Sequence, residues 1–88
     1  MEKKIRVLII DDSALMREAL RAILTSDEKV EVVGLAKNGQ EGLEKAKILK
    51  PDVITIDINM PVMNGLEATQ LIMSEVPTSI IVVSGMDP

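Results

Sequence analysis

The sequence predicts an α/β protein built on a parallel sheet, and three features carry that expectation. Short apolar, β-branched runs recur at Ile5–Ile10, Val30–Ala36, Val53–Ile56 and Ser79–Val83. Between them lie stretches with helical periodicity, so the chain reads βαβαβαβ. The strand runs are near-continuously apolar rather than alternating, as strands covered by helices on both faces must be. Such alternation of strand and helix folds as a parallel sheet with right-handed crossovers.

Each element has its own signal. Ile5–Ile10 is apolar except for Arg6, and it stops at Asp11-Asp12-Ser13. Asp12 or Ser13 is placed to cap a helix over Ala14–Thr25. In that helix Met16, Ala19, Leu20 and Ile23 are expected to face inward, with Arg17, Glu18 and Arg21 outward. Ser26–Lys29 is a polar break before the second strand, Val30–Ala36. Asn38-x-x-Glu41 has the spacing of a capping box and opens a helix to about Leu49, with Leu43, Ala46 and Leu49 inward. Lys45, Lys47 and Lys50 gather near its carboxyl end, where cations suit the helix dipole. Pro51 stops it. The third strand, Val53–Ile56, leads through Asp57 and a loop containing Asn59, Pro61 and Asn64 into a helix over Gly65–Glu75, ended by Pro77. Ser79–Val83 is the fourth strand, closed by Ser84-Gly85. There is no internal repeat, linker or low-complexity segment.

Composition narrows the function. Eighty-eight residues allow one small domain, and a core without Phe, Tyr or Trp must be built from aliphatic side chains and six Met. Those methionines read as gap-fillers. A net charge of −4, with ten scattered Lys and Arg, argues against direct nucleic-acid binding. The absence of Cys and His removes thiolate and imidazole metal sites and the commonest general base, leaving hard cations on oxygen ligands. The amino-terminal apolar run is too short for a signal peptide or a membrane span, so a cytoplasmic location and no membrane partner are expected.

A parallel sheet delivers each strand's last residue to one rim. The first strand brings Asp11 and Asp12 there, the third Asp57 and the fourth Ser84. With the first and third strands adjacent, the reversal of chain order between them opens a ligand crevice. Three carboxylates converging there repel one another unless protonated or neutralised by a cation, and Mg²⁺ suits a site of few carboxylates plus water and phosphate oxygens. Aspartate is also a covalent phosphoryl acceptor, which makes Asp57 the candidate nucleophile and Ser84 a hydroxyl able to hydrogen-bond a phosphoryl oxygen. Singly, each residue has a plainer explanation: Asp12 and Ser13 as helix caps, Asp57 as a turn-former, Ser84 as an ordinary strand end. Their coincidence on one rim favours the site.

The segments VLIIDDS, PDVITIDINMPVMNG and IIVVSG together resemble the receiver domain of two-component response regulators. Within that family, DDSALMREALRAIL and LIMSEVPTSIIVVSG are most similar to the receiver of chemotaxis protein-glutamate methylesterases. The resemblance implies a flavodoxin-like sheet in the order 2-1-3-4. It implies a sensor histidine kinase as phosphoryl donor, and a downstream effector domain or protein as partner. It makes Asp57 the phosphoacceptor, Asp12 a direct Mg²⁺ ligand and Asp11 a ligand through water. The backbone carbonyl of Asn59 completes the metal shell, its side chain sits where dephosphorylation is tuned, and Ser84 is the switch hydroxyl.

The resemblance also sets an expectation of incompleteness. Family receivers have a fifth strand and two further helices, so residues 1–88 read as the amino-terminal part of a receiver. The fifth-strand lysine that contacts the phosphoryl group, and the aromatic that moves with the switch hydroxyl, have no counterpart. No esterase domain accompanies the receiver, so the chain is expected to be a module and not an enzyme. The run Ser79–Ser84 would then be a sheet edge open to pairing with a second copy. The alternative function is a structural or dimerising remnant without efficient phosphorylation. A magnesium phosphohydrolase is disfavoured because its usual pattern needs Asp where Asn59 stands. A dinucleotide-binding module is disfavoured because no G-x-G-x-x-G follows the first strand.

Overall fold

The structure, a computed structural model, describes residues 3–58, 60 and 63–83. Its elements are β1 (Ile5–Ile10), α1 (Ala14–Thr25), β2 (Val30–Ala36), α2 (Gly39–Leu49), β3 (Val53–Asp57), α3 (Gly65–Glu75) and β4 (Ser79–Val83). All strand pairs are parallel and the order is β2-β1-β3-β4. The expected fold class, order and element boundaries are therefore observed, with β3 one residue longer, through Asp57.

The sheet has two unequal sides. On one, Leu8, Ile10, Ile54 and Ile56 meet Leu43 and Ala46 of α2 and Ala68 and Ile72 of α3 in a continuous buried core. Met60 is buried in it and Met63 packs against it, which bears out the gap-filling role of these two methionines. Small residues let the layers close. A Cβ on Gly42 would lie 2.3 Å from Ile10 Cδ1, so α2 approaches β1 closely only because Gly42 carries no side chain. An ion pair, Lys47 to Glu75 at 3.1 Å, joins α2 to α3.

On the other side α1 lies over β1 and β2, covering Val7 and Ile9. The inward face expected for α1 needs correction. No α1 residue is fully buried; Arg17, Leu20 and Leu24 are its half-buried positions, whereas Met16, Ala19 and Ile23 are exposed. The helix carries two adjacent apolar stripes, and periodicity alone does not say which one the sheet covers.

Capping also differs in detail. Asn38 accepts from Glu41 N at 2.8 Å as expected, but Glu41 Oε1 reaches past the cap to Lys37 N at 3.1 Å. The reciprocal capping box is instead at α3, between Asn64 and Glu67. The α2 lysines have specific roles beyond the dipole: Lys45 donates to Leu35 O, and Lys50 is a left-handed C-cap with φ 49° ahead of buried Pro51.

Candidate metal and phosphoryl site

Register brings the acidic residues together. Ile10 pairs with Ile56 across the β1–β3 ladder, so the next residue on each strand, Asp11 and Asp57, emerges side by side on the carboxyl rim. Asp12 follows directly. One carboxylate oxygen from each of Asp11, Asp12 and Asp57 lies within 4.8 Å of the others. Asp11 is buried, Asp57 half-buried and Asp12 exposed, so the cluster runs from the sheet interior out to solvent.

The loop that supplies two of these groups is held from three directions. Asp11 N donates to Ala36 O of β2 at 2.9 Å. Asp11 Oδ1 accepts from Ser13 N at 2.9 Å, an Asx-type turn that leads the chain into α1. Ser13, not Asp12, is the helix cap: its Oγ accepts from Met16 N at 3.2 Å. With capping assigned to Ser13, the plainer explanation for Asp12 falls away. Arg17 Nη1 donates to Asp11 O at 2.7 Å, tying the first turn of α1 back to the strand end. Sequence reasoning placed Arg17 outward; the only signal that could have found it is its position six residues after Asp11, where a helix entering from the rim returns a long side chain toward it.

The β3 side is held by backbone packing. Gly65 N donates to Ile58 O at 2.8 Å. A Cβ at Gly65 would lie 2.2 Å from Asp57 O and 2.7 Å from Ile58 Cα, so α3 begins directly against Asp57. Asn59 and Ser84, the remaining expected site residues, lie outside the described residues.

The donor set is all oxygen, from a chain with no His and no Cys, and this suits a hard divalent cation such as Mg²⁺. Among the described residues no helix is long and apolar enough to cross a membrane.

Comparison with known proteins agrees with this fold. The sequence matches the response regulator receiver domain over residues 7–88. It is 61% identical over 83 residues to protein-glutamate methylesterase/protein-glutamine glutaminase 2 of Carboxydothermus hydrogenoformans, covering 94% of this chain and 23% of that protein. The chain thus spans about a quarter of the length of the curated relatives it matches. The crystal structure of the response regulator domain of Thermotoga maritima CheB superposes with a TM-score of 0.91 at 56% identity, covering 93% of this chain and 61% of that one. The CheX-CheY-BeF3-Mg complex from Borrelia burgdorferi gives a TM-score of 0.86 at 32% identity, covering 96% of this chain and 64% of that one. An acidic triad on the carboxyl rim of a 2-1-3-4 parallel sheet and a family match across nearly the whole chain lead to one conclusion: the chain belongs to the response regulator receiver domain family.

Proposed function

We propose that this receiver accepts a phosphoryl group on Asp57 in a chemotaxis two-component phosphorelay, from a sensor histidine kinase and with Mg²⁺ as cofactor. The observation that carries the reading is the meeting of three carboxylates within 4.8 Å at the ends of two adjacent strands. Asp12 and Asp57 would hold the ion directly and Asp11 through water, with the backbone carbonyl of Asn59 completing the shell. When bound, Mg²⁺ neutralises charge between the acceptor carboxylate and the incoming phosphoryl group. The chain's own part is positional. A carboxylate oxygen of Asp57 forms the new bond to phosphorus while the bond from phosphorus to the donor histidine nitrogen breaks, and the imidazole leaves with that electron pair. The Ser84 hydroxyl would hydrogen-bond a phosphoryl oxygen and pass the modified state to an effector domain or protein. Magnesium in the complex of the Borrelia relative supports the choice of cation. The setting is cytoplasmic, without a direct nucleic-acid or membrane partner. Methylesterase activity is not part of the proposal, since the match to those enzymes covers only about a quarter of their length.

Incubation with a small-molecule phosphodonor and Mg²⁺, followed by intact-mass measurement, tests the assignment. The parent chain should gain one phosphoryl group, and neither Asp57→Asn nor a chelator-treated sample should. An unmodified but folded parent would sink the reading.

A second reading rests on the β4 edge. Among the described residues β4 pairs only with β3, Ile81 is 55% exposed and Val82 42% exposed, and the strand carries no charge. The opposite edge, β2, bears Glu31 and a register shift, both devices that discourage edge pairing. On this reading residues 1–88 are the amino-terminal part of a receiver that associates through β4 as a structural fragment. Sedimentation across a concentration series should then show reversible dimers that Ile81→Lys abolishes; a monomer throughout would dismiss it.

A further inference from the structure

We infer that Arg17 is a positioning residue for the metal site, acting through the backbone of Asp11; the inference rests on the function proposed above. Three observations place it in that role. Its Nη1 donates to Asp11 O at 2.7 Å. Its own backbone N donates to Ser13 O at 2.9 Å, so the guanidinium and the helix it stands on grip the same three-residue turn. It is also half-buried on a helix whose residues are otherwise largely exposed, although its charge would favour full hydration.

The consequence follows from where Asp12 sits. Asp11 is anchored through its side chain and its N–H, at Ser13 and Ala36. Asp12 is exposed, so the direction of its carboxylate depends on the orientation of the Asp11–Asp12 peptide unit. The Asp11 carbonyl belongs to that unit, and Arg17 holds the carbonyl. A hydrogen bond from a charged donor is stronger than one between neutral groups, and outer partners that orient a ligand commonly change metal affinity by about 10–100-fold when removed.

Two effects of removing Arg17 oppose each other. Loss of the hydrogen bond lets the peptide unit rotate and weakens binding, whereas loss of a positive charge near three carboxylates strengthens it. The hydrogen bond dominates, so binding weakens on balance.

Calorimetric titration of the metal-free chain with Mg²⁺ distinguishes them. Arg17→Met should weaken binding by roughly tenfold or more, and Arg17→Lys, which keeps a charged donor, should recover part of the loss. Arg21→Met, on the exposed side of the same helix, should bind as the parent does. Hydrogen exchange of the Ser13 amide, which donates to Asp11 Oδ1, should quicken in the metal-free state in Arg17→Met and not in Arg21→Met. Unchanged or tighter Mg²⁺ binding by Arg17→Met would overturn the inference, as would a Lys variant as weak as the Met variant. If Arg17→Met does not fold, Arg17→Gln in sucrose is titrated with the same expectation and the same refutation. A parent chain that binds no Mg²⁺ would count against the proposed function instead.

Discussion

The two sides of the sheet show how differently one chain can use similar apolar content. On the α2–α3 side, Leu43 and Ala46 of α2 and Ala68 and Ile72 of α3 cover Leu8, Ile10, Ile54 and Ile56 in one buried cluster. On the α1 side, Val7 and Ile9 are covered, but Ile23 on the helix and Ile81 on β4 stay 67% and 55% exposed, and Thr55 Oγ1 is buried with no hydrogen-bond partner among the described residues. The difference lies in geometry more than in composition. Gly42 allows α2 to sit close to β1, Gly39 lets its first turn approach Met63, and Ala46 and Ala68 keep α2 and α3 in one layer. Stability is concentrated on the closed side. The candidate site, in contrast, draws on both: Asp57 is backed by α3, whereas Asp11 is tied to α1 through Arg17.

The largest expected effect tests the closed side. Ile72 is fully buried in the shared core. Ile72→Ala removes three carbons from a site that cannot collapse easily, and should cost about 2–5 kcal/mol. Chemical denaturation should show this as a lower midpoint with little change in slope. A loss below about 1 kcal/mol would mean that the two sides are more alike than their burial suggests.

Most of the architecture was legible because each strand announces itself by β-branched content and each helix by a cap or a proline. Asp11 and Asp57 could be placed on one rim by topology alone, and the register confirms that they are level. The inward stripe of α1 was not legible, because Met16-Ala19-Ile23 and Leu20-Leu24 are equally apolar in sequence. Only the packing against β1 and β2 chooses between them. The sequence likewise points Arg17 outward, because a charge on a helix is usually solvated and its bond to a backbone carbonyl leaves no trace in spacing. Asn64-x-x-Glu67 and Asn38-x-x-Glu41 have identical spacing, yet only the former forms the reciprocal capping box. Both caps are extended but at different φ, −157° at Asn38 and −72° at Asn64, a difference that spacing does not record.

A smaller effect, at the junction of stability and chemistry, is expected at Gly65. A methyl group there meets the carbonyl oxygen of Asp57 and Ile58 Cα, both backbone atoms, so a side-chain rotation cannot relieve the overlap. Gly65→Ala gains helix propensity of up to about 1 kcal/mol, yet the forced backbone shift should leave a net loss of about 1–3 kcal/mol. The shift falls on Asp57, the proposed acceptor. Phosphorylation by a small donor should therefore drop further than the loss of folded protein explains, as measured by intact mass at matched folded concentrations. Wild-type labelling in a folded Gly65→Ala would show that the α3 junction leaves Asp57 undisturbed.

The smallest expected effect, from Ile23→Ala, probes the open side. Ile23 stands 67% exposed on α1, so truncating it removes little burial and leaves no cavity. Alanine is also the better helix former by about 0.4 kcal/mol, since it loses no rotamer freedom against the preceding turn. The balance should lie within about 0.5 kcal/mol of zero, on the stabilising side if it departs at all, when followed by thermal unfolding of the isolated chain. The same truncation carries the opposite expectation wherever α1 is covered. In a longer receiver or in an assembly that seats an apolar element against this stripe, Ile23→Ala would cost about 1 kcal/mol or more of lost burial. Comparing the substitution in the isolated chain and in such a context therefore measures whether the open side of the sheet is bare by design or awaits a partner.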